Sequence, residues 1–185
     1  MLMDATPARR LRPLIERMAR LASAEDWGGE VNPTQMAVLR YLGRANRFSR
    51  APSHVAEYLG ATRGTVSQTL QALGRKGFVV QSRGHADRRR ASYELTPAGE
   101  ALAARPGPMD DILAELPERQ AAALADGLTA ALAGLLRHRG RRPFGLCRTC
   151  RHHEVRGEGG YCRLLKVLLL PPETLQVCVE QEVAA

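Results

Sequence analysis

The sequence predicts a mainly α-helical fold with one small β-hairpin, a helical dimerisation region and a small cysteine-rich tail. Three observations carry this. Apolar residues recur at helical spacing along most of residues 8–138. The spacing turns to alternation only around residues 78–81 and 91–95. All four cysteines fall within the last 39 residues.

The elements follow in order. Residues 8–24 place Leu11, Leu14, Ile15, Met18 and Leu21 on one stripe, with Arg9, Arg10, Arg12, Arg17 and Arg20 around the remainder. Proline is tolerated in a first helical turn, so Pro13 sets the regular start near Arg12. Residues 26–32 contain Gly28 and Gly29 and read as a loop. Pro33 opens a second helix with Asn32 as cap, Met36, Leu39 and Leu42 inward, and Gly43 near its end. A third, short helix starts after Ser53 as N-cap, buries Val55, Ala56 and Leu59, and stops at Gly60. Thr62 caps a fourth helix running to about Lys76. Val66, Leu70 and Leu73 face inward on it; Arg63, Thr65, Ser67, Gln68, Gln71 and Arg75 face outward, and Gly77 ends it. Residues 78–81 and 91–95 alternate as paired strands around a polar, basic loop at 82–90. Thr96 caps a further helix with Pro97 at its first position and Glu100 nearby. Pro106 and Pro108 break the chain. An Ala/Leu-rich helix over 117–138 follows, with a stripe of Leu124, Leu128, Leu132, Leu135 and Leu136. The organisation predicted is a dimerisation helix and loop over 1–32, a DNA-binding unit over 33–104, further dimerisation helices over 105–143 and a tail over 144–185.

Composition narrows the function classes. The 185 residues contain 27 basic and 19 acidic side chains, for a formal charge of +8. Residues 144–185 hold five of each, so the whole excess sits on the main domain. That points to a polyanion such as nucleic acid, although charge alone fits a solvated basic surface equally well. No apolar run is long enough for a membrane helix, and the Arg-rich start contains Asp4 and Glu16 and lacks a secretory h-region. A cytoplasmic protein with no membrane partner is expected. No nucleophile–base constellation or phosphate loop stands out, so no enzyme is expected.

Two short helices joined through Gly60 and followed by a hairpin make a winged helix-turn-helix. The second helix of such a pair enters the major groove of double-stranded DNA. Its outward face here offers Arg63, Gln68 and Gln71, which can pair with base edges, and Thr65 and Ser67, which can hold phosphates, as can the N-terminus capped by Thr62. Ser53 at the first helix and Arg83, Arg88, Arg89 and Arg90 in the wing add backbone or minor-groove contacts. An unrelated solvated charge run is the other reading of the wing arginines.

The residues Thr62-Arg63-Gly64-Thr65-Val66-Ser67-Gln68-Thr69-Leu70, Lys76-Gly77-Phe78-Val79, Asp87-Arg88-Arg89-Arg90 and Leu95-Thr96-Pro97-Ala98-Gly99 resemble the MarR family of bacterial transcription regulators, over roughly residues 8–140. The resemblance implies a homodimer built from the first and last helices, reading a pseudo-palindromic operator, and a repressor is the expected role. It also implies that Asp87 braces the wing and that Arg89 reaches the minor groove; Arg88 or Arg90 could serve instead. The break at Pro106 and Pro108 departs from the longer helix common in the family. No signature of a pocket for phenolic effectors is visible.

The tail reads C-x2-C-x11-C-x15-C: Cys147, Cys150, Cys162 and Cys178. In a reducing compartment such clustering suggests a metal or redox site rather than disulfides. Zinc held by four thiolates is the leading expectation, with Arg148, Arg151 and Arg163 offsetting the charge. An iron–sulfur cluster uses the same ligands, and a metal-free thiol pair acting as a redox switch is a third reading. His152 or His153 could replace one cysteine, or be plain surface residues. The apolar run 164–170 is expected to pack on the main domain or a second subunit, and Pro171-Pro172 to open a short helix carrying Leu175 and Cys178. The tail is then a folding staple or the place where a small-molecule or redox effector is sensed. The rival function is a metal- or redox-handling protein whose winged helix serves only as an interaction module.

Overall fold

The computed structural model describes residues 6–24, 29–83 and 91–183. Helix α1 spans Pro7–Ala24, so it starts earlier than Pro13 suggested, and Pro13 lies inside it. The missing Pro13 N–H leaves the Arg9 carbonyl without a helical partner. No residue of the helix is buried, so water can donate to that carbonyl in place of the missing N–H.

Helix α2 (Pro33–Arg44) begins in a reciprocal cap. The Gln35 N–H donates to Asn32 Oδ1 at 2.9 Å and the Asn32 N–H to Gln35 Oε1 at 3.2 Å. Met36, Val38, Leu39, Tyr41 and Leu42 are buried from it. Helix α3 spans Pro52–Leu59. Its N-cap is Ala51, not Ser53, because Pro52 is preset for the first helical position and Ser53 falls inside the first turn. Val55 and Ala56 are buried and Leu59 half-buried. Gly60 at φ 65° ends it left-handed. Helix α4 (Arg63–Arg75) is capped by Thr62, which accepts from the Thr65 N–H at 3.1 Å, and it buries Val66, Thr69, Leu70 and Leu73.

Strands β1 (Val79–Arg83) and β2 (Ala91–Leu95) form the antiparallel hairpin, with Val79 opposite Leu95. Thr96 closes its base: its hydroxyl donates to the Gly77 carbonyl at 2.7 Å and accepts from the Gly99 N–H at 3.1 Å. Helix α5 (Pro97–Ala103) then lies against α2. A Cβ at Gly99 would collide with the Phe78 carbonyl, which is why the run after Leu95 carries glycine there.

Pro108 does not simply break the chain. It opens helix α6 (Pro108–Ala114), where Asp110 accepts from the Gly107 N–H at 2.8 Å. Helix α7 spans Glu118–His138. Among the described residues, none of α1, α6 or α7 is buried. Leu14 is 54% exposed, Ile112 59% and Leu132 54%, so three apolar faces stand open.

The tail folds as short strands that sequence periodicity did not reveal. Strand β3 (Gly145–Leu146) pairs with β7 (Val177–Cys178); β4 (His153–Arg156), β5 (Gly159–Cys162) and β6 (Val167–Leu169) form an antiparallel meander. Helix α8 is only Pro171–Thr174, so Cys178 stands on a strand rather than on the predicted helix. The cause is pairing: Val177 lies opposite Leu146 and bridges Ala45, which draws the chain out straight.

The tail is fastened to the 45–50 turn that leads into α3. The Asn46 N–H donates to the Val177 carbonyl at 3.0 Å, and Ser49 Oγ accepts from the Val179 N–H at 2.9 Å. Ser49 Oγ also donates to Asn46 Oδ1 at 2.7 Å, and Tyr41 OH donates to the Ser49 carbonyl at 2.7 Å. Arg47 reaches the Leu168 carbonyl at 2.9 Å and Glu173 at 3.3 Å. Ser49→Ala leaves the buried Val179 N–H without its acceptor, so unfolding in urea should show a loss of about 1–3 kcal/mol.

Candidate nucleic-acid interface

The outward face of α4 results from its own packing. With Val66, Thr69, Leu70 and Leu73 turned into the core, Arg63, Thr65, Ser67, Gln68 and Gln71 are all exposed. Arg63, Ser67 and Gln71 follow one another at four-residue steps and so share one ridge. Thr62 and Thr65 are bound to each other, hydroxyl to hydroxyl at 2.8 Å, and hold the helix N-terminus in shape. Thr69 donates to the Thr65 carbonyl at 2.8 Å. The helix therefore presents hydrogen-bonding side chains on a rigid support, with its unpaired first N–H groups beside them.

Ser53 is half-buried at the first turn of α3 and lines a cleft of about 460 Å³ with Glu57, Arg63, Arg141 and Arg142. The last two arginines were not among the expected contacts. They follow α7 directly and return to the helix-turn-helix, where the Arg142 N–H donates to Glu57 at 3.4 Å and its guanidinium meets Glu180 at 3.1 Å. Their signal was the basic run at 139–142, but nothing in the sequence places it 80 residues back beside Arg63. Lys76 is engaged internally: its ammonium donates to the Glu30 carbonyl at 2.7 Å and to Gln35 at 3.0 Å, joining α4 to the entry of α2. Of the wing residues, the Arg83 backbone pairs with Ala91 in the hairpin. Asp87, Arg88, Arg89, Arg90 and the side chain of Arg83 lie outside the described residues.

A larger cleft of about 630 Å³ opens between α2, β2, α5 and the start of α6, with Arg40, Arg44, Arg50, Glu94 and Glu100 on its walls. Burial pulls the Arg50 guanidinium below its usual value, with Glu94 opposing. Sequence spacing gave no hint of this cleft, because its walls come from four separate elements.

The four thiols are free. Cys147, Cys162 and Cys178 pack into one cluster with Phe48 and Leu169, while Cys150 is half-buried. Burial pushes the Cys147 thiol up to about 12, and the neighbouring Cys178, Cys162 and Cys150 add to the rise. Burial also raises Cys178, against the pull of the Asn46 side chain and the Glu180 N–H on its sulfur. Among the described residues, no group of three or more His, Cys, Asp or Glu side chains is placed to hold a metal ion. His152 faces Glu182 at 3.4 Å. His153 packs over Gly160, where a Cβ would strike its ring.

The two helices, the tight turn and the hairpin define a winged helix-turn-helix protein. Comparison with known proteins agrees: residues 30–90 match the MarR family. The match covers the helix-turn-helix and the hairpin, and the C-terminal residues beyond it bear the four cysteines. Similar solved structures include Streptococcus pneumoniae FabT in complex with DNA (24% identity, 69% of this chain and 94% of that one, TM-score 0.52). They also include the S. aureus MepR–DNA complex (23%, 71% and 99%, 0.54) and S. aureus MepR in a DNA-binding conformation (22%, 71% and 99%, 0.56). At these identities the likeness establishes the shared fold. No curated protein matches the chain. No described helix is long and apolar enough to cross a membrane.

The capping role of Thr62 and the solvent-facing role of Gln68 separate in a stability measurement. Thr62→Ala should lower thermal stability by about 0.5–2 kcal/mol, whereas Gln68→Ala should change it by less than about 0.5 kcal/mol.

Proposed function

We propose that this chain is a homodimeric, DNA-binding transcription regulator. It would act as a repressor by occupying a pseudo-palindromic operator with the 62–76 helix and the 82–91 wing. The observation that carries the reading is the outer face of α4. Five exposed hydrogen-bonding side chains stand on a helix whose opposite face is locked into the core of a MarR-family segment. The DNA complexes of FabT and MepR, which share the fold, support it. So does the +8 charge, carried by the residues outside the tail.

Dimerisation is supported by the open stripes on α1, α6 and α7, since apolar faces of that length need cover. A two-fold axis through them would set two α4 helices about 34 Å apart, one turn of DNA. The cleft walled by Arg40, Arg44 and Arg50 offers an effector a place beside both α5 and the wing. The tail is read as metal-bearing, and the rival reading makes the winged helix only a docking module for it.

Two experiments test this. In gel shifts on a selected operator, Arg63→Ala and Gln68→Ala should each cost about 1–3 kcal/mol in specific binding. Loss of a phosphate contact through Arg141→Ala should instead weaken all sequences alike and flatten the salt dependence. Unchanged binding in all three variants, or no sequence-specific binding by the parent protein, would falsify the DNA-reading assignment. In sedimentation, the parent should run as a dimer, and Leu14→Glu combined with Leu132→Glu as a monomer. A monomeric parent removes the two-fold operator.

A further inference from the structure

We propose that Cys147, Cys150, Cys162 and Cys178 form one tetrathiolate site for a divalent ion of the zinc class, built against the turn that leads into the helix-turn-helix.

The backbone brings the four together from distant positions. Pairing of β3 with β7 sets Gly145 opposite Cys178 and, two residues on, the Cys147 N–H on the Gln176 carbonyl at 3.1 Å. A tight turn then carries the chain to Cys150, whose N–H donates to the Cys147 carbonyl at 3.0 Å. The β4–β5–β6 meander delivers Cys162, opposite both His153 and Val167. Three of the cysteines belong to one buried cluster with Phe48 and Leu169, and all three other thiols act electrostatically on Cys147.

The surroundings are built for negative sulfur. The Leu165 N–H donates to Cys162 Sγ and the Glu182 N–H to Cys150 Sγ, each at 3.5 Å, and the Glu180 N–H faces Cys178. These N–H groups would stabilise metal-bound thiolates far more than neutral thiols. A separate observation points the same way. Asn46 is fully buried, and its Nδ2 lies against the Cys178 sulfur without a well-formed hydrogen bond. A thiolate at Cys178 gives that orphaned donor its acceptor. Arg151 and Arg163, held together by the Arg163 guanidinium on the Arg151 carbonyl at 2.7 Å, lie in the chain next to Cys150 and Cys162. They offset the net −2 of four thiolates on a dication.

The lobe has little apolar core of its own. Its cluster consists of three thiols with Phe48 and Leu169, and Leu165 and Val167 only at its edge. Strands of two to four residues around so little apolar surface need a staple. Side-chain rotation closes the four sulfurs on the ion, and each thiol yields its proton to solvent. Phe48 and Asn46 belong to the 45–50 turn, so loading the site also fixes the entry to α3.

The test uses the full chain, purified under reductant, and needs no DNA, so it stands or falls separately from the operator reading. Elemental analysis should find about one zinc per chain in a colourless protein. Replacement by Co(II) should give the sulfur-to-cobalt charge-transfer and visible bands of a tetrahedral thiolate ion. Cys178→Ser should weaken Co(II) binding at least tenfold and alter those bands, whereas His152→Ala and His153→Ala should leave them unchanged. Chelation should speed amide exchange across residues 45–59. Iron with acid-labile sulfide in a brown sample overturns the assignment. So does protein that binds neither zinc nor Co(II), or a pair of the cysteines recovered as a disulfide. Because the parent's own stoichiometry and spectrum decide the point, a cysteine variant that fails to fold does not shield the proposal.

Discussion

Asn46 and Ser49 are buried polar residues in the turn between α2 and α3, and the backbone donors and acceptors of a buried turn need partners. That requirement organises much of the molecule. Tyr41, from the middle of α2, satisfies the Ser49 carbonyl. Asn46 Oδ1 accepts from both the Phe48 N–H and the Ser49 hydroxyl. The remaining partners come from Val177 and Val179, some 130 residues further along the chain. The same turn meets the wing, since the Tyr93 N–H donates to the Arg50 carbonyl at 3.1 Å. The tail, the first helix of the motif and the base of the hairpin are thus joined at one polar knot. The ring of Tyr41, tilted against Tyr58 and edge-on to Phe144, closes it on the apolar side.

This arrangement divides the chain by how each part is covered. The knot and the core of α2, α3 and α4 are satisfied within one chain. Helices α1, α6 and α7 are not: their apolar stripes are open. A second copy is the natural cover, and it would fix the spacing between two α4 helices. Anything that shifts the 45–50 turn, from the tail side or from the arginine-walled cleft, would act on α3 and the wing together, because both are bonded to that turn.

Features whose cause is local were legible in the sequence. Asn32 with Gln35, Thr62 with Thr65, and Thr96 with Gly99 are caps that need only four consecutive residues, and each stands where the spacing put it. The outward face of α4 was legible because its periodicity leaves one side polar. The misreadings came from competing rules. Ser53 is a good cap, but Pro52 fixes the helix start before it; Pro108 reads as a breaker but begins a helix; Pro13 is costly in a buried helix and tolerable in an exposed one. What could not be read was long-range. The tail strands exist through pairing such as Ala45 with Val177 and Gly145 with Cys178, and Arg141 reaches Arg63 only once α7 has turned the chain back.

The claim on which this account turns is that the tail is part of the helix-turn-helix core rather than an appendage. Native-state hydrogen exchange of the Asn46 and Val179 amides tests it most directly. If the polar knot unites the two regions, both amides should exchange only with the same large opening that releases Leu39 in α2 and Leu70 in α4. Exchange of Val179 and Asn46 orders of magnitude faster, through a separate opening that leaves Leu39 and Leu70 protected, would contradict it.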